Sequence, residues 1–156
     1  MGKLVIGFAP TRRFTFSAED AMKYKKLIRS FMDNYDIEII DIDDINEEGL
    51  LYDNTQMAMD IAEKFKSAHV DAVFVPHCNF GTEDTVAKLC REVGKPVLLW
   101  GPRDEDPLED GFRLRDSQCG LFATGKVLRH FNVPFTYIPN TAVDDPIFVR
   151  GFEHFL

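Results

Sequence analysis

The sequence predicts an α/β fold: a doubly wound, mainly parallel five-stranded sheet with helices on both faces. Two observations predict it. Short runs that are apolar at nearly every position alternate with stretches whose apolar residues recur at helical spacing, the pattern of strands buried on two sides by amphipathic helices. The 156 residues fit one domain, 1–156, long enough to bury a real core, with no internal repeat, low-complexity segment or linker.

The elements follow in order. "KLVIGF" (3–8) reads as the first strand. Ser17 is placed to cap a helix over about 18–34, where Ala21, Tyr24, Leu27, Ile28 and Phe31 form one face. "IEIIDI" (37–42) is the second strand, and Asn54 or Thr55 opens a helix carrying Ala58, Ile61, Ala62 and Phe65. "DAVFVP" (71–76) is the third strand; Thr82 then heads and caps a helix with Val86, Leu89, Cys90 and Val93. "PVLLW" (96–100) is the fourth strand, followed after a long loop by a helix over about 117–131. "FTYIP" (135–139) is a weaker fifth strand, and Asp145-Pro146 starts a last helix with proline at its first position. The expected strand order is the flavodoxin-like (Rossmann-like) 2-1-3-4-5.

Composition narrows the function classes. Eighteen basic against 26 acidic residues give a net charge of −8, which argues against nucleic-acid binding because that needs cations to displace phosphate counterions. No apolar run approaches the roughly 20 residues that span a bilayer, so no membrane is expected. Met1-Gly2-Lys3 leads straight into a strand, unlike a signal peptide. Cys78, Cys90 and Cys119 are odd in number and widely spaced, which suits a reducing cytoplasm better than a disulfide framework.

Ligands of such sheets bind outside the carboxyl ends of the strands. Strands 1, 3 and 4 lead into "APTRRFTFS", "PHCNFGTED" and "WGPRDEDPLEDGFRLRDSQCG", loops longer than the usual two to six residues. These loops collect five of the nine arginines, Arg12, Arg13, Arg103, Arg113 and Arg115, and no lysine. Planar multi-donor cations gathered on one rim suit an oxygen-rich ligand. The other reading pairs them with Asp104, Glu105, Asp106, Glu109, Asp110 and Asp116 nearby.

The turn Gly7-Phe8-Ala9-Pro10 is neither a dinucleotide fingerprint nor a phosphate loop. His77 and Cys78 lack the paired spacing of a zinc site, and Cys78 is flanked by His77 and Asn79 rather than by the small residues of a nucleophile elbow. Asn79 and Gly81 suit a turn, with Glu83 and Asp84 favouring the positive end of the next helix. The loop can equally line a binding site without doing chemistry.

"IGFAPTRRFTFSAEDA", "VPHCNFGTEDTVAKLCREVGKPVLLWGPRD" and "RDSQCGLFATGKVLRHFNVPFTYI" together resemble the N-terminal domain of the L-fucose isomerase and L-arabinose isomerase superfamily, in particular proteins called L-fucose isomerase-like. The resemblance covers nearly the whole chain. It implies a longer three-domain parent, homo-oligomeric, in which this domain completes a neighbouring subunit's sugar site. It also implies aldose–ketose isomerisation, with a divalent metal such as Mn2+ polarising the carbonyl and a carboxylate moving a proton through an ene-diol. The metal ligands and catalytic groups belong to parts outside residues 1–156, so no catalytic residue and no cofactor are expected on this domain. Its implied role is to bind a small sugar or sugar alcohol through Arg12, Arg13, Arg103 and the Cys78-Asn79 turn, with Cys78 standing where fucose isomerases carry an aromatic residue. Trp100 either stacks on an apolar sugar face or caps the core.

Two other readings stand beside this one: a free-standing flavodoxin-like module that binds a small ligand or partner, and a thiol enzyme using Cys78. The apolar ending of "DDPIFVRGFEHFL" implies either a chain that continues or a helix folded back on its own sheet.

Overall fold

Strand-forming runs become one sheet in the order the pattern implies. In the computed structural model, which describes residues 2–156, β1 (Leu4–Phe8), β2 (Ile37–Ile40), β3 (Ala72–Pro76), β4 (Val97–Trp100) and β5 (Thr136–Tyr137) pair in parallel as β2-β1-β3-β4-β5. Strand order reverses at β1 and β3, which places a crevice at their carboxyl ends. β5 is shorter than expected, two exposed residues at the sheet edge. Pro139 has no N–H for the ladder, so the strand ends there.

Four helices connect the strands, α1 (Ala18–Met32), α2 (Thr55–Ser67), α3 (Glu83–Val93) and α4 (Ser117–His130), and α5 (Pro146–Phe155) follows β5. Ser17 caps α1 by accepting from Asp20 N, Asn54 caps α2 by accepting from Met57 N, and Asp145 caps α5 by accepting from Ile147 N. α1 stops two residues short of the expected end because the Asn34 amide donates to the carbonyls of Ser30 and Phe31 and closes the last turn. Thr82 occupies the cap position of α3 without a side-chain cap bond, and its hydroxyl pairs instead with Thr85 Oγ1.

Alternation along the strands sorts the core into two layers. Val73, Val75, Val97 and Leu99 pack with residues of α2, α3 and α4, including Ile61, Phe65, Leu89 and Leu128. Ile6, Phe8, Phe74, Leu98 and Trp100 pack with α1 and α5 through Ala21, Ile28, Phe148 and Phe152. Phe148 and Phe152 are fully buried, so the C-terminal helix folds back on its own sheet. Each such phenylalanine contributes about 1.5–3 kcal/mol by burial.

Candidate functional site

The loops at the carboxyl ends of β1, β2 and β3 are laced into one layer. Thr11 N donates to Pro76 O (3.0 Å), its hydroxyl donates to Leu51 O (2.9 Å), and its carbonyl accepts from Cys78 N (3.0 Å). Asn79 completes the lacing: its Oδ1 accepts from Arg13 N (2.7 Å) and Gly81 N (3.2 Å), while its Nδ2 donates to the carbonyls of Arg13 and Ser17. Gly81 at φ +77° turns the chain into α3 in a conformation that side chains disfavour. Asn79 is fully buried, so its amide holds loops rather than facing solvent.

Cys78 and Trp100 also lie beneath the rim, which corrects the expectation that Cys78 faces a substrate and, of the two readings of Trp100, favours the one in which it caps the core. The in-and-out alternation of β3 continues past Pro76, so Cys78 shares the α1/α5 side with Phe74. Its thiol is fully buried and burial pushes its pKa up to about 12, with Arg115 and Lys25 only partly opposing this. A thiol held protonated in this way is a poor nucleophile, contrary to the Cys78-enzyme reading. Trp100 is stacked on Phe148 at 3.7 Å between ring centroids, and its Nε1 donates to Thr141 Oγ1 (3.3 Å). It caps the core.

The arginines separate into committed and open ones. Arg12, 6% exposed, makes a bidentate pair with Glu48 (2.7 and 2.9 Å) and lies over the Phe14 ring. Arg13 pairs with Glu83 and lies 4.3 Å over the Phe80 ring, keeping about a third of its side chain exposed. Arg115 is entirely buried. Its Nε donates to both oxygens of Glu105, and its Nη atoms donate to the carbonyls of Pro102, Arg103 and Cys78, with its plane 3.8 Å from the Tyr24 ring. Tyr24 donates to the same Glu105 carboxylate (2.9 Å). Burial acts to raise the Glu105 pKa, but its own backbone N–H, Arg115 and Tyr24 together hold it below the usual carboxylate value. Arg103 and Arg113 are exposed and make no ion pair among the described residues. Pairing with acids of the same loop therefore accounts for Arg115 alone; Arg12 and Arg13 find acids elsewhere.

Arg115, Asp104 and Glu105 realise the same-loop pairing that the sequence offered as its other reading, and Tyr24, which the sequence did not connect with them, completes the hub. The signal was present as a loop dense in both signs of charge, but the pairing depends on the fold. Asp104 caps α4 from a distance: its two oxygens accept from Ser117 N (2.7 Å) and Gln118 N (3.1 Å), whereas the local cap residue Asp116 sits at φ +49° and makes no cap bond. Gly120 lets α4 press on the β3–α3 loop, since a Cβ there would lie 1.8 Å from Phe80 O. Beside this helix end runs a groove of about 360 Å3 lined by Arg103, Asp106, Arg113, Gln118, Cys119 and Asn140, among others. A larger cavity of about 670 Å3 lies where α3 and α4 end and β4 and β5 begin, the end of the sheet opposite to that at which α/β folds bind ligands.

Among the described residues no group of three or more His, Cys, Asp or Glu could hold a metal ion, and no helix is long and apolar enough to cross a membrane. A family model described as fucose/sulfoquinovose isomerase, N-terminal domain, matches residues 7–156. No curated protein matches the chain. One similar solved structure is an ABC transporter solute-binding protein from Bacillus halodurans C-125 with bound myo-inositol, at 13% identity and a TM-score of 0.42. The match covers 90% of this chain and 57% of that one.

Proposed function

The chain belongs to the fucose/sulfoquinovose isomerase N-terminal domain family, and we propose that it is the substrate-rim domain of an aldose–ketose isomerase, helping to form the sugar site of a neighbouring subunit. The observation that supports this most directly is the contrast among rim arginines. Most polar groups around the carboxyl ends of β1, β3 and β4 are committed to each other, yet Arg103, Arg113 and part of Arg13 face solvent. Guanidinium forks left open on an acidic chain suit a polyol or other oxygen-rich small molecule.

In this reading Arg13 and Arg103 donate to sugar oxygens and fix the orientation of the sugar. Arg12, anchored on Glu48, supports the Phe14 side of the rim. Cys78, Asn79 and Trp100 form the floor that keeps these groups in register. Among the described residues no cluster fits a divalent cation such as Mn2+, so in this reading its ligands would come from outside them. No proton-transfer role is assigned to any residue here.

Incubating the isolated chain with L-fucose or L-arabinose plus Mn2+ should give no isomerised product, while amide NMR signals of residues 101–119 shift with millimolar sugar. Clear turnover by the isolated chain overturns the assignment, as does sugar binding that leaves the rim signals unmoved. A free-standing ligand-binding module is the second reading. The observation favouring it is α5, which covers the sheet with the domain's own Phe148 and Phe152. A native mass equal to that of this chain alone, with a ligand bound, selects the module.

A further inference from the structure

The chain is acidic, yet the stretch that forms α4 and β5 is not. No Asp or Glu stands between Asp116 and Asp144, on a chain of net charge −8. A groove of about 570 Å3 runs between α4 and β5. Phe122 (62% exposed), Tyr137 (41% exposed) and the half-buried Phe135 give it apolar walls. Lys126, Arg129 and His130 are its only charged or titratable lining, and none of them makes an ion pair among the described residues. The macrodipole accounts for Arg129 and His130 in the last turn of α4, but it leaves the aromatic surface uncovered. Pro134 and Pro139 bracket β5 and blunt this sheet edge against strand addition, so the groove offers a partner side chains.

The β4–α4 loop carries the complementary surface. Residues 106–113 are all exposed. Gly111 N donates to Leu108 O (2.7 Å), Leu108 N to Phe112 O (2.9 Å) and Phe112 N to Asp110 Oδ1 (2.9 Å), which closes a compact turn with Gly111 at φ +84°. The turn presents Leu108 and Phe112, each close to half exposed, beside Asp106, Glu109 and Asp110. These three acids make no ion pair among the described residues, and the Arg113 charge at the end of the turn offsets only one of them. An apolar tip ringed by acids fits an apolar groove ringed by bases.

We propose that the 106–112 turn of one copy of this chain docks in the α4–β5 groove of a second copy. Charge selects this pairing, because turn against turn or groove against groove would juxtapose like charges. The contact joins two different surfaces, so a joined pair still offers a groove on one copy and a turn on the other unless the assembly closes. It needs no sugar and goes beyond the substrate-rim reading. A single turn buries less than the roughly 1,200 Å2 of a stable interface, so the expected Kd is about 0.1 mM.

Sedimentation velocity of the full chain from about 10 μM to about 1 mM, in about 0.05 M and about 0.5 M NaCl, tests this. Association should grow with concentration and weaken by about fivefold or more at the higher salt. It should vanish in a turn variant, Leu108→Ser/Phe112→Ser, and in a groove variant, Lys126→Glu/Arg129→Glu, both at exposed positions and both checked for folding by circular dichroism. Mixing the two variants should restore a 1:1 complex, since one keeps its groove and the other its turn. A monomer throughout the range, association indifferent to salt, or no complex on mixing overturns the proposal. Loss in the groove variant alone, with the turn variant still associating, also overturns it, since another acidic segment then fills the groove.

Discussion

His77 shows how burial at the rim converts a familiar titratable group into a fixed one. Its Nδ1 lies 2.9 Å from Phe80 O, and in the neutral ring this nitrogen carries the proton and donates it; Nε2 is buried without a partner. Burial lowers its pKa from 6.5 to about 4, with the Phe80 carbonyl opposing and the Arg13 charge assisting. Between these two values the unfolded chain binds a proton that the folded chain refuses, so stability falls as pH drops from 6.5 toward 4. The loss from this group approaches about 3 kcal/mol below pH 4 and is absent above pH 7. Urea unfolding of the native chain and of His77→Gln at pH 7 and pH 4.5 should show a larger drop for the native chain; equal drops would sink the account. Much of this residue-scale picture was open to sequence reasoning in part. Extending the β3 alternation two residues further puts Cys78 with Phe74, and the β4 phase puts Trp100 with Leu98. The partners of Arg12 and Arg13 were not legible, because Glu48 and Glu83 lie 36 and 70 residues away with no periodic signal joining them.

α4 carries two glycines in different surroundings, and they make opposite predictions. Alanine at 120 would drive its Cβ into the Phe80 carbonyl, a backbone atom that has no rotamer to escape into. Gly120→Ala should therefore destabilise by about 2 kcal/mol despite the helix-propensity gain of about 1. Alanine at 125 would meet only the Phe135 ring edge at 3.4 Å, so Gly125→Ala should stabilise by about 0.5–1 kcal/mol. Thermal or urea unfolding of the two variants, side by side, checks both signs. The helices themselves were legible from spacing and caps, as Ser17, Asn54 and Asp145 show. The start of α4 was legible as a position but not in its cause, since its cap is Asp104, supplied from 13 residues upstream.

On the scale of the whole molecule, the strand order was legible because apolar runs and amphipathic stretches alternate throughout, and right-handed parallel crossovers leave few ways to arrange them. The fate of the C-terminal segment was not, since an apolar helix face looks the same whether it meets its own sheet or another chain. The single tryptophan makes that docking measurable. Trp100 is stacked on Phe148, so Phe148→Ala should cost about 3–5 kcal/mol and open the indole to acrylamide quenching. Unchanged quenching with intact stability would mean that α5 does not close this face.

The β4–α4 loop divides its labour between two sets of residues. Arg115, Asp104 and Glu105 fasten the loop to α1, α4 and the β3 turn, while Arg103 and Arg113 project from it without holding anything by their side chains. Substitutions at the projecting positions cost folding almost nothing, whereas the fastening positions cannot drift alone. On the proposed rim reading, a lineage built on this scaffold would be free to exchange one ligand preference for another by single changes at Arg103 and Arg113, passing through intermediates that all remain folded.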